Sequence, residues 1–399
     1  MKLNYYLPLV LMSWSVIGMS QKNIKTYIFG HSLINHVSSI PDPELTTAPY
    51  WISQMANTAG NQYAMSGQWG QLMQHRDLNV QPNWGITGVD GAWDGDTETF
   101  PEVDFTGIII MPSNFEQYQG PDINYEGGFD YSPIDATVDV FDWCVGQEPN
   151  INFYIYEHWP EMSGFVGGSM PPSPQEWIDY NDYLSGDYHQ WFIDYHDALT
   201  AQFPNSCVSM IPVGPIISKL LLMSPYDQID INDLYEDPDP HGRPTIYFLS
   251  AMITYMAMYE EQTPSTYQPP SGIILPVVAN HYSSIRDFIW TELQDFNYTN
   301  GNSRSFCNAP VTTSTVDLTL RSSGITFHPN VCDDILIIQG ELAGFDIEII
   351  DSLGQIHDTI DNTTTQSSYD ISGLPSGIYF LRIRNQTNNQ LWIENIVKM

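Results

Sequence analysis

Positive charge is what this sequence most lacks: 12 Lys and Arg stand against 47 Asp and Glu in 399 residues, a formal net charge of −35. A surface of that sign repels a phosphate backbone or an anionic headgroup, which excludes nucleic acid as a partner. Cysteine is also scarce. Cys144, Cys207, Cys307 and Cys332 are the four present, spaced too widely for a zinc ligand set. Beyond the first twenty residues no apolar run approaches the ~20 residues a membrane-spanning helix needs, so the mature chain is expected to carry no membrane-spanning segment. What is there, 42% hydrophobic and 13% aromatic residues, supports a large core and rules out disorder throughout.

The chain opens on Lys2, a mostly apolar stretch from Tyr5 to Met19 and the small residues Gly18 and Ser20 ahead of Gln21. That layout predicts a secretory signal peptide over 1–20 and a secreted or cell-surface product. An even number of cysteines in an oxidising compartment allows two disulfides. Of the three pairings, Cys144 with Cys207 and Cys307 with Cys332 keeps each bridge local, and reduced buried thiols stay open as the alternative.

Short β-rich apolar runs recur at Ile24 to Phe29, Gly107 to Met111, Asn152 to Tyr156 and Val208 to Val213. Helical patterns lie between and after them, at Thr47 to Thr58, Pro133 to Val145, Pro174 to Gln202, Ile246 to Glu260 and Val278 to Phe296. This alternation predicts an α/β domain over 21–300, with a mostly parallel sheet covered on both faces as a three-layer sandwich. Gln81 to Asp104, rich in Gly, Trp and Asp, reads as a loop at the mouth of a site. A polar Asn, Ser and Thr stretch over 301–324 reads as a linker. Beyond it the period changes: Ile335 to Gln339, Asp346 to Asp351, Ser368 to Ile371, Gly377 to Arg384 and Leu391 to Val397 predict a small all-β sandwich over 325–399.

In that last region Phe327-His328-Pro329-Asn330, Asp346 to Gly354 and Leu374-Pro375-Ser376-Gly377-Ile378-Tyr379 resemble the C-terminal sorting domain of the type IX secretion system. The resemblance includes the terminal basic residue Lys398 and implies the type IX machinery as a partner and export across a Bacteroidetes-type outer membrane.

Candidate chemistry begins at Tyr27-Ile28-Phe29-Gly30-His31-Ser32-Leu33, where an apolar strand is expected to pass directly into a helix. In a doubly wound sheet the carboxyl end of the first strand opens onto the ligand crevice, and a Ser at a following helix N-terminus has its N–H free for an oxyanion. Gly30-His31-Ser32-Leu33 resembles the Gly-Asp-Ser-Leu block of the SGNH (GDSL) hydrolases. Three further segments follow in the order of that family's blocks. Ser66-Gly67-Gln68-Trp69-Gly70 offers a glycine N–H from either Gly67 or Gly70. Ile108 to Asn114 ends a buried strand with the amide of Asn114, and Asp237-Pro238-Asp239-Pro240-His241 precedes a late helix. The resemblance implies a flavodoxin-like SGNH fold with Ser32 as nucleophile and His241 as base. Asp237, Asp239 or no carboxylate orients the imidazole, and the Ser32 N–H, Gly67 or Gly70, and Asn114 form the oxyanion hole. His31 where the family has Asp, Pro112 two residues before Asn114, and Pro238 in the usual Asp-x-x-His slot depart from its pattern.

No cofactor and no metal are called for. His31, His36, His75 and His158 show no His-Glu-x-x-His spacing, and Asp90, Asp94, Asp96 and Asp104 lack the spacing of an EF-hand. Glu157-His158 follows a buried strand and reads as structural. Trp69, Trp84, Trp93 and Trp159 lie on or near the expected site loops, where aromatic faces suit sugar rings. The expected activity is therefore a secreted serine esterase that removes acyl, in particular acetyl, groups from an acylated carbohydrate. A non-catalytic carbohydrate-binding or surface protein on the same scaffold is the alternative.

Overall fold

The computed structural model describes residues 21–36, 42–167, 170–299 and 301–306, and most of 326–398. The expected signal peptide and most of the expected linker lie outside the described residues. The chain divides into two compact units, Met1–Ala309 and Pro310–Met399.

Six strands build the sheet of the first unit: β1 Asn23–Gly30, β2 Gln62–Trp69, β3 Asp90–Gly91, β4 Gly107–Ile110, β5 Asn152–Glu157 and β6 Val208–Pro212. They run parallel in the order β3-β2-β1-β4-β5-β6. The order reverses between β1 and β4, so the crevice at the carboxyl ends of these two strands is the topological switch point where doubly wound sheets take their ligands. Nine helices accompany the strands among the described residues: α1 Ala48–Ala59, α2 Leu72–His75, α3 Pro133–Gln147, α4 Pro174–Tyr183, α5 His189–Gln202, α6 Val213–Leu221, α7 Pro244–Tyr259, α8 Pro276–Asn280 and α9 Tyr282–Asp295.

Alternation along the strands explains the layering, because successive side chains point to opposite faces. Ile28, Ile109, Tyr154 and Tyr156 join a core with α1, α6, α7 and α9. Tyr27, Phe29, Ile108, Ile110, Phe153 and Ile155 join a second core with α3 and α5. Helix α7 is buried all round from Thr245 to Tyr259, as expected of a helix apolar on every side. Local chemistry starts the helices where the sequence places them. Thr47 caps α1 by accepting from the Tyr50 amide, and Ser132 with Asp135 and Ser173 with Glu176 form capping boxes for α3 and α4.

One strand goes unread in the sequence, and two expectations need correction. Gln62–Trp69 is a full strand, although its polar residues and internal Gly67 hide it; that glycine fits because a Cβ there would stand 2.5 Å from the Ile28 carbonyl oxygen. The Gln81 to Asp104 segment lies along β2 instead of forming only a mouth. Trp84 N donates to Gly67 O, Trp93 N to Ser66 Oγ, and β3 extends the sheet. The helix expected over Pro174 to Gln202 is interrupted by a π-turn at Leu184–Tyr188, where Gly186 leaves helical geometry. The disulfide scheme also changes. Cys144 is a free thiol that α3, β4 and β5 bury in the second core, so it does not pair with Cys207, which is disulfide-bonded.

The first unit extends past its expected end. Met210 N donates to Arg304 O, and the Arg304 guanidinium pairs with Asp197 over the Tyr298 ring.

In the second unit the strands are β7 Thr326–His328, β8 Val331–Cys332, β9 Ile335–Gln339, β10 Phe345–Asp351, β11 Ile356–Ile360, β12 Gln366–Asp370, β13 Gly377–Asn385 and β14 Leu391–Lys398. They form one sheet of order β11-β10-β13-β14-β8 and another of order β12-β9-β7, largely antiparallel. Leu336 and Ile338 of one share a core with Ile347, Ile349, Leu381 and Ile383 of the other, which makes the unit a small sandwich.

Candidate active site

Strand β1 ends at Gly30, where a Cβ would meet the Met111 sulfur at 2.7 Å. A side chain at this position would require the Met111 side chain to move aside. The helix that the sequence reading expects directly after this strand does not form here. Ile34 N donates to His31 O to close a turn, Asn35 bridges Thr47, and α1 starts only at Ala48. Ser32 thus sits in a turn at the switch point, its carbonyl oxygen accepting a hydrogen bond of 2.9 Å from the Tyr247 hydroxyl of α7.

The Ser32 hydroxyl donates to His241 Nε2 at 3.0 Å, and His241 Nδ1–H donates to Asp237 Oδ2 at 2.8 Å. Asp237 Oδ1 accepts from the amides of Asp239 and His241, each at 3.1 Å. The structure therefore brings together Ser32, His241 and Asp237, whereas Asp239 turns its amide, not its carboxylate, toward the group. With Nδ1 protonated against Asp237, Nε2 is the acceptor, which is the tautomer a general base requires. The loop is anchored from behind. Trp159 Nε1 donates to Pro240 O at 2.8 Å, Met162 N donates to Pro238 O, and Glu236 N donates to His241 O. Trp159 is therefore a buried support and not a surface platform.

Asn114 leaves β4, the neighbour of β1. Among the described residues neither its carboxamide nor the Ser32 amide has a hydrogen-bond partner, so both are free to donate. The two glycines differ from them. Gly70 N donates to Gly30 O at 2.9 Å, and Gly67 lies inside β2. The Pro112 carbonyl, two residues before Asn114, accepts from His31 Nε2 at 3.1 Å and from His158 Nε2 at 2.5 Å. Burial holds both rings neutral, lowering His31 to about 3 and His158 to about 4. His75 joins this frame by donating through Nε2 to Gly70 O while Gln68 Nε2 donates to its Nδ1. Glu157 is buried and pairs with His189 at 2.8 Å, so Glu157-His158 braces the floor of the site.

Sequence reasoning missed a second imidazole–carboxylate pair. The His36 ring stacks on His241 with centroids 3.8 Å apart and planes 15° from parallel, and its Nε2 stands 3.4 Å from Glu236 Oε2. The available signal was slight: Glu236 precedes Asp237, and His36 lies four residues beyond Ser32. Among the described residues, His36, Asp237 and His241 place potential ligand atoms within 4.8 Å of one another. Both nitrogens of His241 are engaged, so a cation there would have to displace the bond to Ser32 or the bond to Asp237.

Residues 326–398 match the secretion system C-terminal sorting domain. The protein accordingly carries a type IX sorting domain and is exported by that system to the cell surface or extracellular space. Among the described residues no helix is long and apolar enough to cross a membrane. A solved structure of PorZ, a surface component of the type IX secretion system of Porphyromonas gingivalis, is similar at 20% identity over 19% of this chain and 11% of that chain, with a TM-score of 0.18. A likeness of that size carries no argument about fold. No curated protein matches the chain.

Proposed function

We propose that the first unit is a serine esterase of the SGNH type that removes acyl groups, in particular acetyl, from a carbohydrate outside the cell. The observation that carries this reading is the continuous hydrogen-bond series Ser32–His241–Asp237 at the switch point. Strand order supports it as well: with the two-residue β3 set aside, the sheet has the flavodoxin-like arrangement.

In this mechanism Ser32 Oγ attacks the acyl carbonyl carbon as His241 Nε2 takes the hydroxyl proton. Asp237 stabilises the resulting imidazolium and keeps it in place. Negative charge on the former carbonyl oxygen is met by the Ser32 N–H and the Asn114 amide. His241 then gives its proton to the departing sugar oxygen, leaving an acyl-serine. A water molecule, deprotonated by the same imidazole, attacks that ester; the bond from the acyl carbon to Ser32 Oγ then breaks as His241 returns the proton to Oγ, and the carboxylic acid leaves. The chain's own residues perform each proton transfer.

The engaged amide of Gly70 favours a second reading, a binding protein on the same scaffold, because one expected oxyanion donor is occupied. A fluorophosphonate probe and a short acyl ester separate the two. The esterase reading expects Ser32-dependent labelling and hydrolysis, both lost in Ser32→Ala. Glycan binding with neither would establish the second reading.

A further inference from the structure

Just past Asn114 the chain forms a cavity of about 170 Å³, lined by Met73, Phe115, Glu116, Tyr118 and Tyr125 among others. Its composition is unusual in two respects. Phe115 and Tyr118 are 51% and 63% exposed, which is costly for rings with no partner of their own. Behind them Glu116 is only 5% exposed, its carboxyl beside Ser113 and the buried Tyr125 hydroxyl, yet its Oε2 and that hydroxyl make no well-aligned hydrogen bond among the described residues. Buried polar atoms are ordinarily satisfied, so this pair is suited to a ligand that brings hydroxyl groups.

We propose that this cavity is a subsite for one pyranose ring of the substrate, with the apolar face of the sugar against Phe115 and Tyr118 and its hydroxyl edge on Glu116 and Tyr125. A pyranose combines those two surfaces in one small ring, and the volume suits a single ring, being below the ~300 Å³ at which pockets for drug-sized ligands begin. Burial raises the Glu116 carboxyl to about 7, so near neutral pH it both donates to and accepts from hydroxyls. Its lining begins at Phe115, the residue after Asn114. Ser113, between Pro112 and Asn114, donates its hydroxyl to Gln71 Oε1 at 2.5 Å, which ties the loop to the start of α2.

The proposal deepens the esterase reading and rests on it for the identity of the substrate. The test is calorimetric titration of the full-length Ser32→Ala protein with xylo-, manno- and chito-oligosaccharides, plain and acetylated, and with tetramethylammonium. Saturable binding of an oligosaccharide, weakened at least tenfold by Phe115→Ala and by Tyr118→Ala and also weakened by Glu116→Gln, is the expected result. Absence of oligosaccharide binding, affinities unchanged in the Tyr118→Ala protein, or binding of the ammonium ion alone would each overturn it. Hydrolysis of p-nitrophenyl acetate by the wild-type chain, which requires no sugar contact, is measured alongside. Hydrolysis without glycan binding ends the subsite alone, whereas glycan binding without hydrolysis ends the esterase reading and leaves the subsite standing.

Discussion

Asp237 divides its carboxylate between two tasks: one oxygen holds the imidazole and the other gathers the amides of Asp239 and His241. The two acids of this loop therefore differ in chemistry although they lie two residues apart. Asp237→Asn is expected to lower kcat on a short acyl ester by up to about 10⁴, through loss of the reactive tautomer. Asp239→Asn is expected to leave kcat at the wild-type level. Equal losses in steady-state assays would contradict the assignment. Asn114→Ala is expected to cost about 10²–10³ in kcat with little change in KM, the pattern of a donor acting on charge that develops only in the transition state.

Among the elements, β2 and the turn after β1 teach the most. The apolar runs at Ile24, Gly107, Asn152 and Val208 identify four strands in the sequence because they are buried on both faces, and the capped helices are equally legible. Strand β2 is not, since a glycine and alternating polar residues resemble a loop. Its place is fixed by tertiary contact, with Gly67 against the Ile28 carbonyl. Gly67→Ala is accordingly expected to destabilise the first unit by roughly 1–3 kcal/mol, read as a lower midpoint in urea denaturation; an unchanged midpoint would show that the strands can separate to admit a methyl group. At the site, Ser32, His241 and Asp237 stand out because loop ends beside strands and before a late helix have identifiable chemistry. His36, stacked on His241, has none in one dimension: ring stacking depends on how two distant loops meet. Trp159 likewise reads as a sugar platform until its indole is seen bonded to Pro240.

For the molecule as a whole, burial sets the pH dependence of stability. His31, His75, His158 and His196 are lowered by burial to about 3 or 4, while Glu116 and Glu157 are raised by burial to about 7. Between the ordinary carboxylate value of 4.5 and the ordinary histidine value of 6.5, the unfolded chain binds protons on the four rings that the folded chain refuses. His36 is lowered with them, while the folded chain retains protons on Glu116 and Glu157 and, to a lesser extent, on Glu260 and His189, whose values are also raised. The unfolded state thus binds more protons, and stability rises with pH across that window, ceasing to rise as the histidine contribution ends. Calorimetry should give a melting temperature that increases from pH 4.5 to 6.5; a flat or falling trend there would contradict the buried neutral histidines. At the other end of the chain, removing 326–399 is expected to leave the truncated protein inside the outer membrane, as fractionation of expressing cells would report, because the sorting domain resides there.

Ser32 and His241, the proposed nucleophile and base, are 209 positions apart, with β2, β4, β5 and β6 all intervening in the chain. On the esterase reading, a partly synthesised or proteolytically shortened chain that lacks either end of this span is inactive. Ester turnover in a culture medium would then serve as a direct reporter of how many molecules completed folding on their way out of the cell.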